Sequence, residues 1–83
     1  MNIEKNTHDK LTKIFREVFS DNSIEITNSM TAADIEEWDS IMHINLIFSC
    51  EEQFGIKFAL SEIAEMQSVG DLKSIVIDRT TNA

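Results

Sequence analysis

Residues Glu37–Gly55 read EWDSIMHINLIFSCEEQFG, and the spacing of their apolar side chains predicts one helix with two apolar sides. At 100° per residue, Leu46, Ile47, Cys50 and Phe54 gather on one side. Ile41, Ile44 and Phe48 gather on nearly the opposite side, beside Glu51 and Glu52. The helix is expected from about Ser40 to Gln53, opened by Asp39 and Ser40, both favoured near a helix start, and closed by Gly55 at C′. One stripe has to be core. The other is either covered by the chain or left to a partner, because an apolar strip fringed by carboxylates suits a basic, partly apolar groove.

Upstream of this helix, Ile24, Ile26, Met30 and Ile35 are isolated anchors in an otherwise polar stretch, which reads as a long loop ending at Asp39-Ser40. Loops of that length in small domains tend to be functional or to carry short turns of their own. Before the loop, Leu11, Ile14, Phe15, Val18 and Phe19 follow i, i+3, i+4, i+7, i+8 spacing and predict a first helix over about Lys5–Phe19. The polar run Ser20-Asp21-Asn22-Ser23 stops it. Downstream, Ile56-Lys57-Phe58 is an apolar link too short for a sheet. Ser61 is expected to cap a short helix running through Met66, with Ile63 inward. Ser68 is expected to cap the last helix, with Asp71 as its acidic partner and Val69, Leu72, Ile75 and Val76 inward. Nothing in the tail Arg79–Ala83 calls for order. The fold class is therefore all-α: a small four-helix bundle of three main helices plus a short third one, with a long loop between helices one and two. A single domain over residues 1–83 is expected.

Composition agrees. Two glycines and no proline favour helices joined by short polar connections, and 42% apolar residues suffice for a small core. Fifteen Asp and Glu against seven Lys and Arg give a net charge of −8, which repels nucleic acid and anionic lipid and asks for partners with basic patches. The lone Cys50 cannot form an intrachain disulfide, and the start MNIEKNTH lacks the apolar run of a secretory signal, so a cytoplasmic address is expected. No stretch approaches transmembrane length.

Enzyme constellations fail one by one. The chain has no G-x-S-x-G elbow and no glycine-rich phosphate loop. His8 and His43 stand far apart outside any H-E-x-x-H pattern, and Asp21–Glu25 lacks the glycine and terminal glutamate of a calcium loop, so no metal site is expected. The acidic run Asp34, Glu36, Glu37 and Asp39 reads as a solvated face. His43 falls near the core stripe and reads as a packing histidine, and Cys50 has no redox partner. What stands out is Glu37-Trp38-Asp39-Ser40-Ile41, a hydroxyl at a helix start directly after an acid and a large aromatic. Capping accounts for Asp39 and Ser40 at roughly 1 kcal/mol, with Trp38 as a staple over the helix end.

Over nearly its full length the chain resembles the acyl carrier protein family, with its peptidyl and D-alanyl carrier relatives. The likeness rests on Trp38-Asp39-Ser40-Ile41, which matches the Asp-Ser-Leu-type motif opening the family's second helix, and on Ile44, Leu46 and Ile47. It continues through Glu51-Glu52-Gln53-Phe54-Gly55-Ile56 and Val69-Gly70-Asp71-Leu72. The resemblance implies a non-catalytic carrier whose Ser40 receives 4′-phosphopantetheine from coenzyme A through a magnesium-dependent phosphopantetheinyl transferase, with Asp39 presenting Ser40 to that enzyme. It implies that Ile41, Ile44, Phe48, Glu51 and Glu52 dock partners: an acyl-loading enzyme, and synthases or acyltransferases with basic patches. It implies that Leu46, Ile47, Cys50, Phe54 and Ile63 border any acyl pocket, and that the carrier works as a monomer. Met42 stands where many fatty-acid-synthesis carriers have an acid, and no glycine precedes Trp38-Asp39-Ser40. A specialised stand-alone carrier in a polyketide, lipopolysaccharide or related pathway suits that form. A peptidyl or D-alanyl carrier is the nearest alternative, and an acidic helical adaptor using Ser40 only as a cap is the alternative of another class.

Overall fold

In the computed structural model, residues 3–35 and 37–81 are described. Their regular elements are all helices: α1 Ile3–Val18, α2 Ser40–Phe54, α3 Leu60–Glu65 and α4 Val69–Thr81. The radius of gyration, 11.8 Å, is that of a folded chain of this length (about 12 Å), so the long loop lies against the helices.

α1 packs against both α2 and α4. Its inward face is Thr7, Leu11, Ile14 and Phe15, continued by Phe19 just past its end. The start lies two residues before the sequence-predicted Lys5. At the other end Ser20 turns into the left-handed region (φ 52°), and the Ser20 and Asp21 N–H groups donate back to the Glu17 and Arg16 carbonyls, a Schellman closure that the polar run permits. α2 buries Leu46, Ile47 and Cys50, and Gly55 (φ 66°) ends it as expected, with the Gly55 and Ile56 N–H groups both donating to the Glu51 carbonyl.

The loop from Ser20 to Asp39 is held at several points. Ile26 and Ile35 are buried, and Ile24 and Met30 rest on the core. Its main chain also caps α4: the Met30 carbonyl accepts from Val69 N–H and the Asn28 carbonyl from Gly70 N–H, both at 2.9 Å. A Cβ on residue 70 would sit 2.9 Å from the Asn28 carbonyl oxygen, which is why a glycine stands there. The buried Lys73 ammonium donates to Asn28 Oδ1 at 2.6 Å.

Three expectations need correction. Ser61 does not cap α3. Ala59 holds that position, and Glu62, three residues on, reaches back to take the Ala59 N–H at 2.8 Å, leaving Ser61 inside the first turn. Ser68 does serve α4, its hydroxyl accepting from Asp71 N–H at 3.2 Å, but the Asp71 carboxylate takes the Gln67 N–H in place of that of Ser68. Finally, α4 takes in Arg79, Thr80 and Thr81, assigned above to the tail. Thr80 and Thr81 return their hydroxyls to the Val76 and Ile77 carbonyls, and Arg79 pairs with Glu62 and donates to the Lys57 carbonyl. Asn82 and Ala83 lie outside the described residues, as does Glu36 of the acidic run. Among the described residues no helix is long and apolar enough to cross a membrane.

Candidate functional site

The end of the loop and the start of α2 build the site. Trp38 is buried and anchored on the aromatic cluster, edge-on to Phe15 at 5.4 Å and 6.2 Å from Phe19. Asp39 follows in extended conformation, and its Oδ1 accepts the Met42 N–H at 2.9 Å, so its carboxylate caps the helix. Ser40, next in line, is exposed as the first residue of a 15-residue helix. Free N–H groups and the helix dipole favour negative charge at such a place, so the position suits a phosphodiester on the serine.

Trp38 and His43 occupy the N′ and N4 positions around Asp39, where a staple pair meets across a helix start. Their rings stack at 6.0 Å with 24° between planes, and Trp38 Nε1–H donates to His43 Nδ1 at 3.1 Å. With Nδ1 accepting, the imidazole proton belongs on Nε2, which faces the Ile63 carbonyl of α3 at 3.4 Å. The sequence reading of His43 as a packing residue holds, and the hydrogen bonds add a link from loop to α2 to α3 that spacing alone does not show.

Beside Ser40 lies an open hollow of about 540 Å³, lined by Trp38, Asp39, Ser40, His43 and Ile44 from the loop end and α2, by Ile63, Ala64, Met66 and Gln67 from α3 and the residues after it, and by Ala32. Of the five residues assigned above to a pocket, only Ile63 lines it. Leu46, Ile47 and Cys50 are at most 1% exposed. α1 packs against α2 over these buried residues, and α3 meets α2 nearer its start, at His43. Phe54 is half-buried at the far end of α2, with the Lys10 ammonium 4.8 Å over its ring. Sequence reasoning missed Met66, Ala64 and the outward side of His43. The available signal was i+3 and i+4 spacing from Ser40, which puts His43 and Ile44 one turn away on the same side.

Of the two possibilities the spacing left open for the outer stripe, the structure has it exposed: Ile41 73%, Phe48 62% and Ile44 44%. Glu52 is exposed with it. Glu51 is turned elsewhere, its Oε2 accepting the Phe58 N–H at 2.9 Å and so holding the α2–α3 link. Burial, with a smaller contribution from the Glu51 charge, pushes the Cys50 thiol up to about 12, which suits a packing residue and not a nucleophile. Among the described residues no group of three or more His, Cys, Asp or Glu side chains is placed to hold a metal ion.

Comparison with known proteins agrees with this geometry. The family model for the phosphopantetheine attachment site matches residues 9–76, a span that includes the whole of α2. No match is found among curated proteins. A solution NMR structure of a holo acyl carrier protein from Geobacter metallireducens is 47% identical, superposes with a TM-score of 0.87, and matches over 92% of this chain and 87% of its own. An exposed serine at the start of a capped helix, inside a matched attachment-site segment and a shared fold, places this chain in the acyl carrier protein family, with a covalently attached 4′-phosphopantetheine as its cofactor.

Proposed function

We propose that Ser40 bears the 4′-phosphopantetheine arm, and that the chain is a carrier of acyl intermediates in fatty-acid, polyketide, lipopolysaccharide or related biosynthesis. The observation that carries the assignment is the place of Ser40, exposed and first in α2, beside a capping Asp39. When attached, the arm supplies a terminal thiol that holds an acyl group as a thioester. The chain's own residues present it. The N-terminus of α2 favours the phosphodiester charge, and attachment at an exposed helix end disturbs no core side chain. Asp39 presents Ser40, and the magnesium used by the transferase, while its capping bond keeps the helix start in place. Ile41, Ile44, Phe48 and Glu52 form the face that meets a loading enzyme and a synthase or acyltransferase, each with a basic patch to match the net charge of −8. Glu51 supports that face from the link and leaves docking to Glu52. The apolar Met42 two residues after Ser40, with Trp38 before it, favours a specialised pathway over bulk fatty-acid synthesis. We place the carrier in the cytoplasm, as a monomer.

The test is intact mass after incubation with coenzyme A, magnesium and a broad-specificity phosphopantetheinyl transferase. Wild type should gain one phosphopantetheine and Ser40→Ala none. A folded wild type that stays unmodified, beside a control carrier that is modified, would overturn the assignment.

A further inference from the structure

Lys73 is the one charged side chain that the fold buries among the described residues, at 6% exposure, and the site at Ser40 makes no use of it. Its ammonium donates to the neutral Asn28 amide oxygen at 2.6 Å, and no carboxylate of the described residues lies within ion-pairing distance of it. An ammonium has three N–H donors, so a buried one held by a single dipole keeps two donors and most of its charge unanswered. Beside it is an open hollow of about 340 Å³, lined also by Glu4, Lys5 and His8 of α1. Two ammoniums, an imidazole and one carboxylate thus line a single space. The chain as a whole carries −8, yet α1 holds four of its seven Lys and Arg: Lys5, Lys10, Lys13 and Arg16. Charges beyond about 8–10 Å are largely screened at physiological salt, so the hollow's own groups decide what enters it.

We infer that this hollow at the seam of α1 and α4 binds a phosphate group, free or as a monoester, with Lys73 as its principal donor and Glu4 as the residue that sets its specificity. Lys73 brings the unanswered charge, and His8 can add a ring N–H. Lys5 has an interaction of its own and contributes its field, not a bond. The Glu4 carboxylate repels a bare anion but accepts a hydrogen bond from an anion that still carries an O–H. A phosphate group, whose second proton leaves at about pH 6 or above, has such an O–H in mildly acidic solution; sulfate has none. Occupancy supplies Lys73 with a counter-charge, and through Asn28 it steadies the loop where the Asn28 and Met30 carbonyls cap α4. Ser40 is not among the residues involved, so the site holds with or without the arm.

The experiment titrates the full chain with inorganic phosphate, glycerol 3-phosphate and sulfate at about pH 6 and constant ionic strength, following backbone and side-chain N–H signals by two-dimensional NMR. Inorganic phosphate should give saturable shifts confined to the neighbourhood of Glu4, His8, Asn28 and Lys73. Sulfate should bind at least about fivefold more weakly, because it meets the Glu4 carboxylate with no proton to share. Lys73→Met should weaken phosphate at least about tenfold. Glu4→Gln, at an exposed position that the fold does not depend on, should bring phosphate and sulfate within about twofold of each other, since an amide donates to either anion; this variant decides the matter if Lys73→Met fails to fold. Glycerol 3-phosphate matching inorganic phosphate assigns the site to a monoester on a larger molecule, and a tenfold weaker response assigns it to free phosphate; either upholds it. Shifts that never saturate or that spread over the whole surface overturn the site. So does sulfate binding as tightly as phosphate to wild type, or a folded Lys73→Met that binds phosphate unchanged.

Discussion

α1 and α3 are held by different physics. α1 buries a continuous stripe from Thr7 to Phe15, extended by Phe19, against both α2 and α4, so its place is set by apolar contact. α3 is six residues long and buries none of them. Ile63 rests partly buried on the core, and polar attachments add the rest: the Glu62 carboxylate on its own first turn, Arg79 from α4, and His43 from α2. Apolar burial resists small displacements everywhere along a face, whereas a few hydrogen bonds can be released one at a time. The element bordering Ser40 and its hollow is thus the one whose position can be altered without disturbing the rest of the core.

Truncating the α1 face should do the most damage. Phe15→Ala should cost about 3–5 kcal/mol in urea denaturation, close to the whole stability of a small domain at the lower end of about 5–15 kcal/mol. Ile63→Ala, at the half-buried inward position of α3, should cost about 1–2 kcal/mol. Equal costs would abolish the distinction between the two helices. Phe54→Ala belongs with the milder group, about 1–2 kcal/mol, because that ring is only half-buried.

The inner face of α2 can be probed by pH. Burial raises the Cys50 thiol from an ordinary 9.0 to about 12, so the folded state holds that proton more tightly than the unfolded chain. Its contribution is complete below pH 9 and is lost as pH rises from there towards 12. That span corresponds to about 4 kcal/mol at most. Subtracting the alkaline melting profile of Cys50→Ala from that of wild type should isolate it. Identical profiles would place Cys50 outside a dry core, as would rapid labelling of folded wild type by a thiol reagent at pH 8.

Around α3 the expected effects are local. The Ala59 N–H, and then Arg79, hold the Glu62 carboxyl below its ordinary 4.5, so the support it lends is present above that value and lost as pH falls through the lowered one. Arg79→Ala should shift the global midpoint by less than about 1 kcal/mol. Amide exchange in residues 60–65 should meanwhile quicken about tenfold. Glu62→Gln should remove the acid sensitivity of that exchange. Uniform quickening in α1 as well would show that α3 is no separate unit.

Smallest in stability is the outer face of α2. Ile41→Ser and Phe48→Ser should alter the melting free energy by no more than about 0.5 kcal/mol and yet weaken association with a transferase or synthase. Glu52→Lys should weaken it in a salt-sensitive way. Glu51→Lys, by contrast, should loosen the Phe58 link, and unchanged exchange at Phe58 would return Glu51 to the docking face.

Much of this was legible in the chain because helices announce themselves through local periodicity. The apolar spacing from Leu11 to Phe19, the two stripes of α2 and the terminating Gly55 each depend on residues within one or two turns, and all appear as read. Ser40 was legible for the same reason, as a hydroxyl next to an acid at a helix start. The pocket was not, since where α3 meets α2 depends on a contact between His43 and Ile63, twenty residues apart. Nor was the cap of α3, where Ser61 has the right side chain but Ala59 has the right backbone and a Glu62 three residues on.

By itself, then, the sequence determined an acidic, all-helical chain, the faces of its helices and the serine at the head of α2, because charge and helical phase are properties of neighbours along the chain. Only the tertiary structure decided that Glu51 holds a link, that Asn28 and Met30 cap α4, and that Trp38, His43 and Ile63 meet beside Ser40. Of these contacts only Trp38–His43 is close in sequence; the others bridge separations of 7 to 42 residues, and local patterning carries no information about which distant carbonyl or ring nitrogen a folded chain brings within three or so ångströms.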